Sequence, residues 1–190
     1  MAEVFAAIDD KLFSTSVAQL VLSTFASFEA SAAGTGAQLS WQQIELALYV
    51  ITFYGDVMTT ATAAPKVGLS PAMFVQSPEA GSKGRAPKLG NEALAALPLS
   101  DLGEMVQKLV QSNVSSFPHP AVQLQFFECL VRYSNFFAAR SACVSDALPA
   151  FLDWRGVHHE KLGVRKRVNY LLYRFVRDLR AVAARASPRA

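Results

Sequence analysis

Apolar residues recur at three- and four-residue spacing through most of this chain, and no stretch alternates cleanly enough to read as a strand. The pattern predicts helices over 2–13, 16–31, 40–56, 101–112, 119–137, 143–154 and 161–186. Ser40 before "WQQIE" and Ser100 before "DLGEMV" read as N-caps, with Glu104 near the capping-box position. Between the third and fourth of these helices, "TTATAAPKVGLSPAMFVQSPEAGSKGRAPKLGNEALAALPLS" loses the periodicity and fills with Pro, Gly, Ala and Ser. A structureless connection that long is unusual inside a compact domain. It reads as a disordered insertion, with one short helical turn at "NEALAALP".

An internal repeat sets the architecture. Shifting the chain by 42 residues carries Leu109 onto Phe151, Val110 onto Leu152, Val122 onto Val164, Phe126 onto Val168 and Cys129 onto Leu171. Leu130 meets Leu172 and Tyr133 meets Phe175 in the same register. Each unit is a short helix, a polar turn and a longer helix, with a period in the range of HEAT and armadillo repeats. Such hairpins bury their apolar faces only by stacking on one another. The expected fold is therefore all-α, an α-solenoid of HEAT-like hairpins: helices over 1–56, a flexible insertion over 57–100, and two repeats over 101–190. Within Val122–Phe137 the polar Gln125, Glu128, Arg132 and Asn135 share one narrow stripe, as expected of a helix packed on several sides. Glu128 and Arg132, four residues apart, are expected to pair with each other.

Composition narrows the function classes. With 52% hydrophobic and 17% charged residues, wholesale disorder is excluded. No uncharged apolar run reaches the length of a transmembrane helix, and "MAEVFAAIDDKLF" lacks the basic start of a secretory signal, so neither a membrane partner nor an oxidising compartment is expected. Cys129 and Cys143 read as buried small hydrophobes. There is no Gly-rich phosphate loop, no HExxH, no GxSxG and no convincing carboxylate pair, so neither an enzyme nor a cofactor is expected. His158 and His159 are adjacent and point in different directions; no metal site is expected, and both read as surface residues. His119, between two prolines, reads as a turn residue.

Charge is where the sequence becomes specific. From Arg155 onward stand ten Lys and Arg against Glu160 and Asp178, while the preceding residues hold eight basic and 13 acidic side chains. The overall charge of +3 conceals a polarised molecule. On a helical wheel, Val164, Val168, Leu171, Leu172, Phe175, Leu179 and Val182 fall on one side of the last helix. Lys166, Arg167, Arg174, Arg177, Arg180 and Arg185 fall opposite with Tyr170 and Tyr173, and Arg165 lies at the boundary. Guanidinium forks suit phosphate, and tyrosines suit unpaired bases. The candidate RNA-binding residues are Arg165, Lys166, Arg167, Arg174 and Arg177, with Arg155, His158, His159 and Lys161 at the rim.

"VQSNVSSFPHPAVQLQFFECLVRYSNFF" followed by "LPAFLDWRGVHHEKLGVRKRVNYLLYRFVRDL" resembles the tRNA exporters of the importin-β (karyopherin) family, as does "WQQIELALYVITFYGD" before it. The resemblance implies a middle portion of a longer HEAT-repeat export receptor that binds mature tRNA. It further implies GTP-bound Ran as a partner, held through repeats absent here, and nuclear pore proteins as partners during shuttling between nucleus and cytoplasm. The competing reading is a HEAT-repeat scaffold for protein–protein interaction without direct RNA contact.

Overall fold

A computed structural model describes residues 10–61, 69–76 and 90–186, with side chains over 12–57, 69–76 and 90–181. Within these lie seven α-helices: α1 (Asp10–Ala32), α2 (Trp41–Ala61), α3 (Asn91–Ala96), α4 (Asp101–Gln111), α5 (Pro120–Arg132), α6 (Cys143–Leu152) and α7 (Leu162–Ala186). They pair as three hairpins, α1/α2, α4/α5 and α6/α7, with the small α3 outside that scheme. The first helices of the hairpins pack in one layer, α1 on α4 and α4 on α6, and the second helices in another, α2 on α5 and α5 on α7. A single hydrophobic core runs through all three hairpins, from Val21 and Phe25 to Leu171 and Phe175. The all-α solenoid expected from the repeat is what forms. No described helix is long and apolar enough to cross a membrane.

The 42-residue register holds in three dimensions. Leu109 and Phe151 are both buried, as are Val122 and Val164, Phe126 and Val168, Cys129 and Leu171, and Tyr133 and Phe175. The register departs at two pairs: Val110 and Leu130 are buried, whereas their counterparts Leu152 and Leu172 are half exposed and partly buried.

Several expectations need correction. The first two predicted helices are one: α1 runs unbroken through Ser14, Thr15 and Ser16. Those residues interrupt the apolar pattern without Pro or Gly to break the backbone. Ser14 does not cap a helix; its hydroxyl meets the Tyr54 hydroxyl at 2.7 Å and donates to Asp101. The part of the first prediction before Asp10 lies outside the described residues. α5 stops at Arg132, and Ser134–Ala138 continues as a 3-10 turn, because Tyr133 turns its buried hydroxyl to donate to the Ile51 carbonyl at 2.6 Å.

Both predicted N-caps form. Ser40 Oγ accepts from the Gln43 N–H and Ser100 Oγ accepts from the Gly103 N–H at 3.2 Å. Gly103 therefore holds the third helical position, and Glu104 stands one residue too late to complete a box.

The insertion is only partly as expected. α2 extends to Ala61, and the helical turn predicted at "NEALAALP" is α3. Leu69, Phe74 and Val75 are buried, and Val75 bridges to Leu99 in antiparallel fashion. Arg140 fixes α3 from outside by donating to the carbonyls of Ala95 at 3.1 Å and Leu97 at 2.7 Å. This arginine satisfies acceptors that the end of a short helix leaves unpaired.

Candidate nucleic-acid interface

α7 is the edge helix of the second layer. Val164, Val168, Leu171 and Phe175 are buried, and Leu172 and Leu179 are partly so. Phe175 stacks on Phe151 with ring centres 5.0 Å apart and meets Phe137 edge-on at 5.2 Å. This packing fixes the helix rotation and leaves the opposite flank exposed in this chain. Lys166, Arg167, Tyr170, Tyr173, Arg177 and Arg180 lie exposed on it, with Arg174 half-buried at its inner margin. Tyr170 forms the centre of a small cation–π group, with the Arg167 guanidinium 5.4 Å and the Arg174 guanidinium 5.9 Å from its ring centre. Two positive groups are thereby held against one aromatic ring, which pre-orients both.

The valley beside this flank is floored by α5. Its polar stripe is where the sequence placed it, but its partners are on neighbouring helices. Glu128 does not pair with Arg132; Arg132 reaches Asp56 on α2, and Glu128 accepts from Arg167 on α7 at 2.5–2.6 Å. Gln125 donates to Thr52 of α2 at 3.1 Å, and Asn135 to the Leu69 carbonyl at 2.9 Å. The narrow stripe thus serves as inter-hairpin contact on both sides. A recess of about 210 Å³ lined by Thr52, Glu128, Val131, Arg132 and Arg174 lies in the valley.

The predicted site residues separate into three groups. Lys161, Lys166 and His158 are exposed, and among the described residues they and Arg174 form no ion pair with a carboxylate. Arg167 and Arg177 are paired, with Glu128 and Asp178 respectively, yet about half of each side chain is exposed. Exposed pairs of this kind are weak and screened by salt, which leaves both guanidiniums open to a competing anion. The third group is structural. Arg165 is half-buried and donates to the His159 carbonyl at 3.1 Å.

Arg155, expected at the rim, is engaged within the turns. Its guanidinium grips Asp153 through Nε and Nη2 and donates from Nη1 to Asn113 at 2.5 Å and Ser115 at 3.0 Å. It ties the turn of the third hairpin to the turn of the second. Asn113 is held in the left-handed region, φ 55°, where its short polar side chain is tolerated.

His159 is a correction of the same kind. It is 4% exposed, against the surface placement expected from its neighbours. Its Nδ1 accepts from the Lys161 backbone N–H at 2.9 Å, so the proton sits on Nε2, which faces Gln123 Oε1 at 2.8 Å. Burial depresses its pKa below the ordinary histidine value; Glu160 opposes that, and Lys161 and Arg165 add to it. Both ring nitrogens are thus engaged within the fold.

One residue of the turns, Trp154, carried no signal strong enough to single it out in the sequence. Trp154 is 53% exposed, and with Pro118, Pro120, Gln123, His158, His159, Glu160 and Lys161 it lines a cleft of about 480 Å³ between the second and third turns. Beside it, His119 stacks on Trp41 with ring centres 4.2 Å apart, so the predicted turn residue is also a packing residue.

Comparison with known proteins places this arrangement. The family model described as Exportin-T matches residues 1–75 and 83–188. An exportin-T of Mycosarcoma maydis is 92% identical over 179 residues, covering 94% of this chain and 16% of the relative. Those of Laccaria bicolor and Emericella nidulans are 36% and 32% identical over 174 and 182 residues, covering 92% and 95% of this chain. The chain spans 15–16% of the length of these relatives.

Proposed function

This chain belongs to the exportin-T family, and from that premise we propose that it supplies a phosphate-binding surface to a nuclear export receptor for tRNA. The observation that carries the reading is the outer flank of α7. There Arg167 and Arg174 lie against Tyr170, Lys166 and Arg177 share the same flank, and Glu128 and Asp178 are the carboxylates paired with Arg167 and Arg177. A receptor for cargoes that differ in sequence has to read backbone and shape, and duplex RNA offers phosphates and 2′-hydroxyls across its minor groove. Arginines and a lysine spaced along one helix face meet that demand. GTP-bound Ran and the nuclear pore proteins would be engaged by repeats outside this chain, and the whole receptor would shuttle between nucleus and cytoplasm.

The test is tRNA binding by anisotropy across a salt series. Three or four phosphate contacts give a slope of log affinity against log salt of about −2 to −4. Lys166→Glu with Arg174→Glu is expected to reduce that slope by about 1 to 2 and to weaken binding throughout. A wild-type slope near zero, or a double variant that binds as wild type, would overturn the reading. The protein-scaffold alternative draws on the same flank, since Arg167 already holds one carboxylate. It predicts that an acidic peptide binds there and tRNA does not.

A further inference from the structure

The cleft between the second and third turns is a built site, distinct from the α7 flank. Gln123 lines it and is 1% exposed. Its orientation is fixed by a relay: the Lys161 N–H bonds to His159 Nδ1, which places the proton on Nε2, which in turn donates to Gln123 Oε1. The amide therefore has its oxygen committed, and its Nε2 makes no hydrogen bond among the described residues. Among the described residues the fully buried side-chain polar atom without a partner is His119 Nδ1, so the Gln123 amide donor is open to the cleft rather than sealed off from it. Beside it stands an exposed indole, Trp154, and two proline rings, Pro118 and Pro120.

We infer that this cleft receives one unpaired nucleotide of RNA, stacked on Trp154 and hydrogen-bonded at its base edge by Gln123 Nε2. The inference rests on the RNA-binding reading of α7 and adds a second contact to it. The class of ligand follows from the chemistry. A planar ring stacks on an indole, and every nucleobase carries a carbonyl oxygen or ring nitrogen able to accept from an amide. Lys161 and His158 at the rim are donors suited to the attached phosphate, with Glu160 the single carboxylate among the lining residues. A proline-rich peptide would also lie on Trp154, but it would bring no anion for Lys161. The volume falls within the ~300–1,000 Å³ of small-molecule sites. Lys161, at the cleft, directly precedes α7, the helix that carries the cationic flank.

The experiment compares a blunt RNA duplex with the same duplex carrying a single-stranded extension, on the 190-residue chain. Wild type is expected to prefer the extended RNA by about tenfold, the size of one base–aromatic stack. Trp154→Ala should abolish the preference while leaving affinity for the blunt duplex unchanged, and Trp154→Phe should restore part of it. In a Trp41→Phe background, the extension should quench the remaining Trp154 fluorescence. Blunt-duplex binding with no preference, or a preference that survives Trp154→Ala, overturns the cleft assignment alone. Binding of neither RNA overturns both readings. Quenching by a proline-rich peptide but not by RNA would make the cleft a peptide site.

Discussion

Protonating His159 would remove the acceptor for the Lys161 N–H and place a charge where burial disfavours it. Its pKa is lower folded than unfolded, so the unfolded chain binds the extra proton more readily. Its contribution is complete above the unfolded value, about 6.5, and declines as pH falls below it. Thermal unfolding followed from neutral to mildly acid pH should show a falling Tm that His159→Gln flattens. An equal fall in both proteins would remove His159 as the cause. Cys129 supports a simpler prediction: burial pushes its thiol up to about 11, and its sulfur lies 3.4 Å from the Thr52 hydroxyl. Iodoacetamide at about pH 8 should leave it unlabelled until the chain is unfolded. The identity of buried cysteines and boundary arginines was legible in the sequence because periodicity alone decides them. That of Arg155 and His159 was not: both sit in turns, where periodicity carries no information and long-range partners such as Asn113 and Gln123 set the role.

At the level of elements, the segment 69–76 shows how a piece with no helical pattern joins the fold. Its Phe74 carbonyl accepts from the Ser100 N–H at 3.1 Å, and the Gln76 N–H donates to the Pro98 carbonyl at 2.8 Å. Phe74 meets the rings of Tyr133 and Phe136 edge-on. This close approach requires Gly103, where a methyl group would overlap the Phe74 carbonyl and the Leu99 side chain. Gly103→Ala is expected to cost about 1–3 kcal/mol in urea unfolding, as overpacking does. Hydrogen exchange should show Ser100 and Gln76 losing protection while α5 keeps it. Uniform loss across all helices would instead make Gly103 a global packing residue. The sequence missed this segment because strand-like and loop-like contacts leave no periodic trace over so few residues. It also split α1 at three hydroxyl residues, a pattern that stops a helix only when those side chains bond to the backbone. Here Ser14 bonds to Tyr54 and Asp101 instead.

On the scale of the whole molecule, the decisive property is that one core crosses all three hairpins while the charge does not. Acidic excess lies before Arg155 and basic excess after it, yet Glu128–Arg167 and Asp56–Arg132 stitch the second layer across those hairpins. If the repeats were separable, the first and third hairpins would melt apart, as weakly coupled units of a solenoid do. The aromatic packing opposes that: Phe126, Phe127, Phe151, Phe175 and Phe137 form a continuous ring chain joining the second and third hairpins, and the Trp41–His119 stack joins the first to the second. The two tryptophans report from opposite ends, Trp41 at the start of α2 and Trp154 in the turn before α7. Phe175→Ala removes the link between Phe151 and Phe137 and is expected to cost about 3–5 kcal/mol. In single-tryptophan versions of the protein, both fluorescence transitions should coincide with each other and with circular dichroism, and both should shift together in Phe175→Ala. A shift confined to Trp154 would mean that the basic hairpin folds as its own unit, and that charge reversal on α7 reads local unfolding as well as lost phosphate contact.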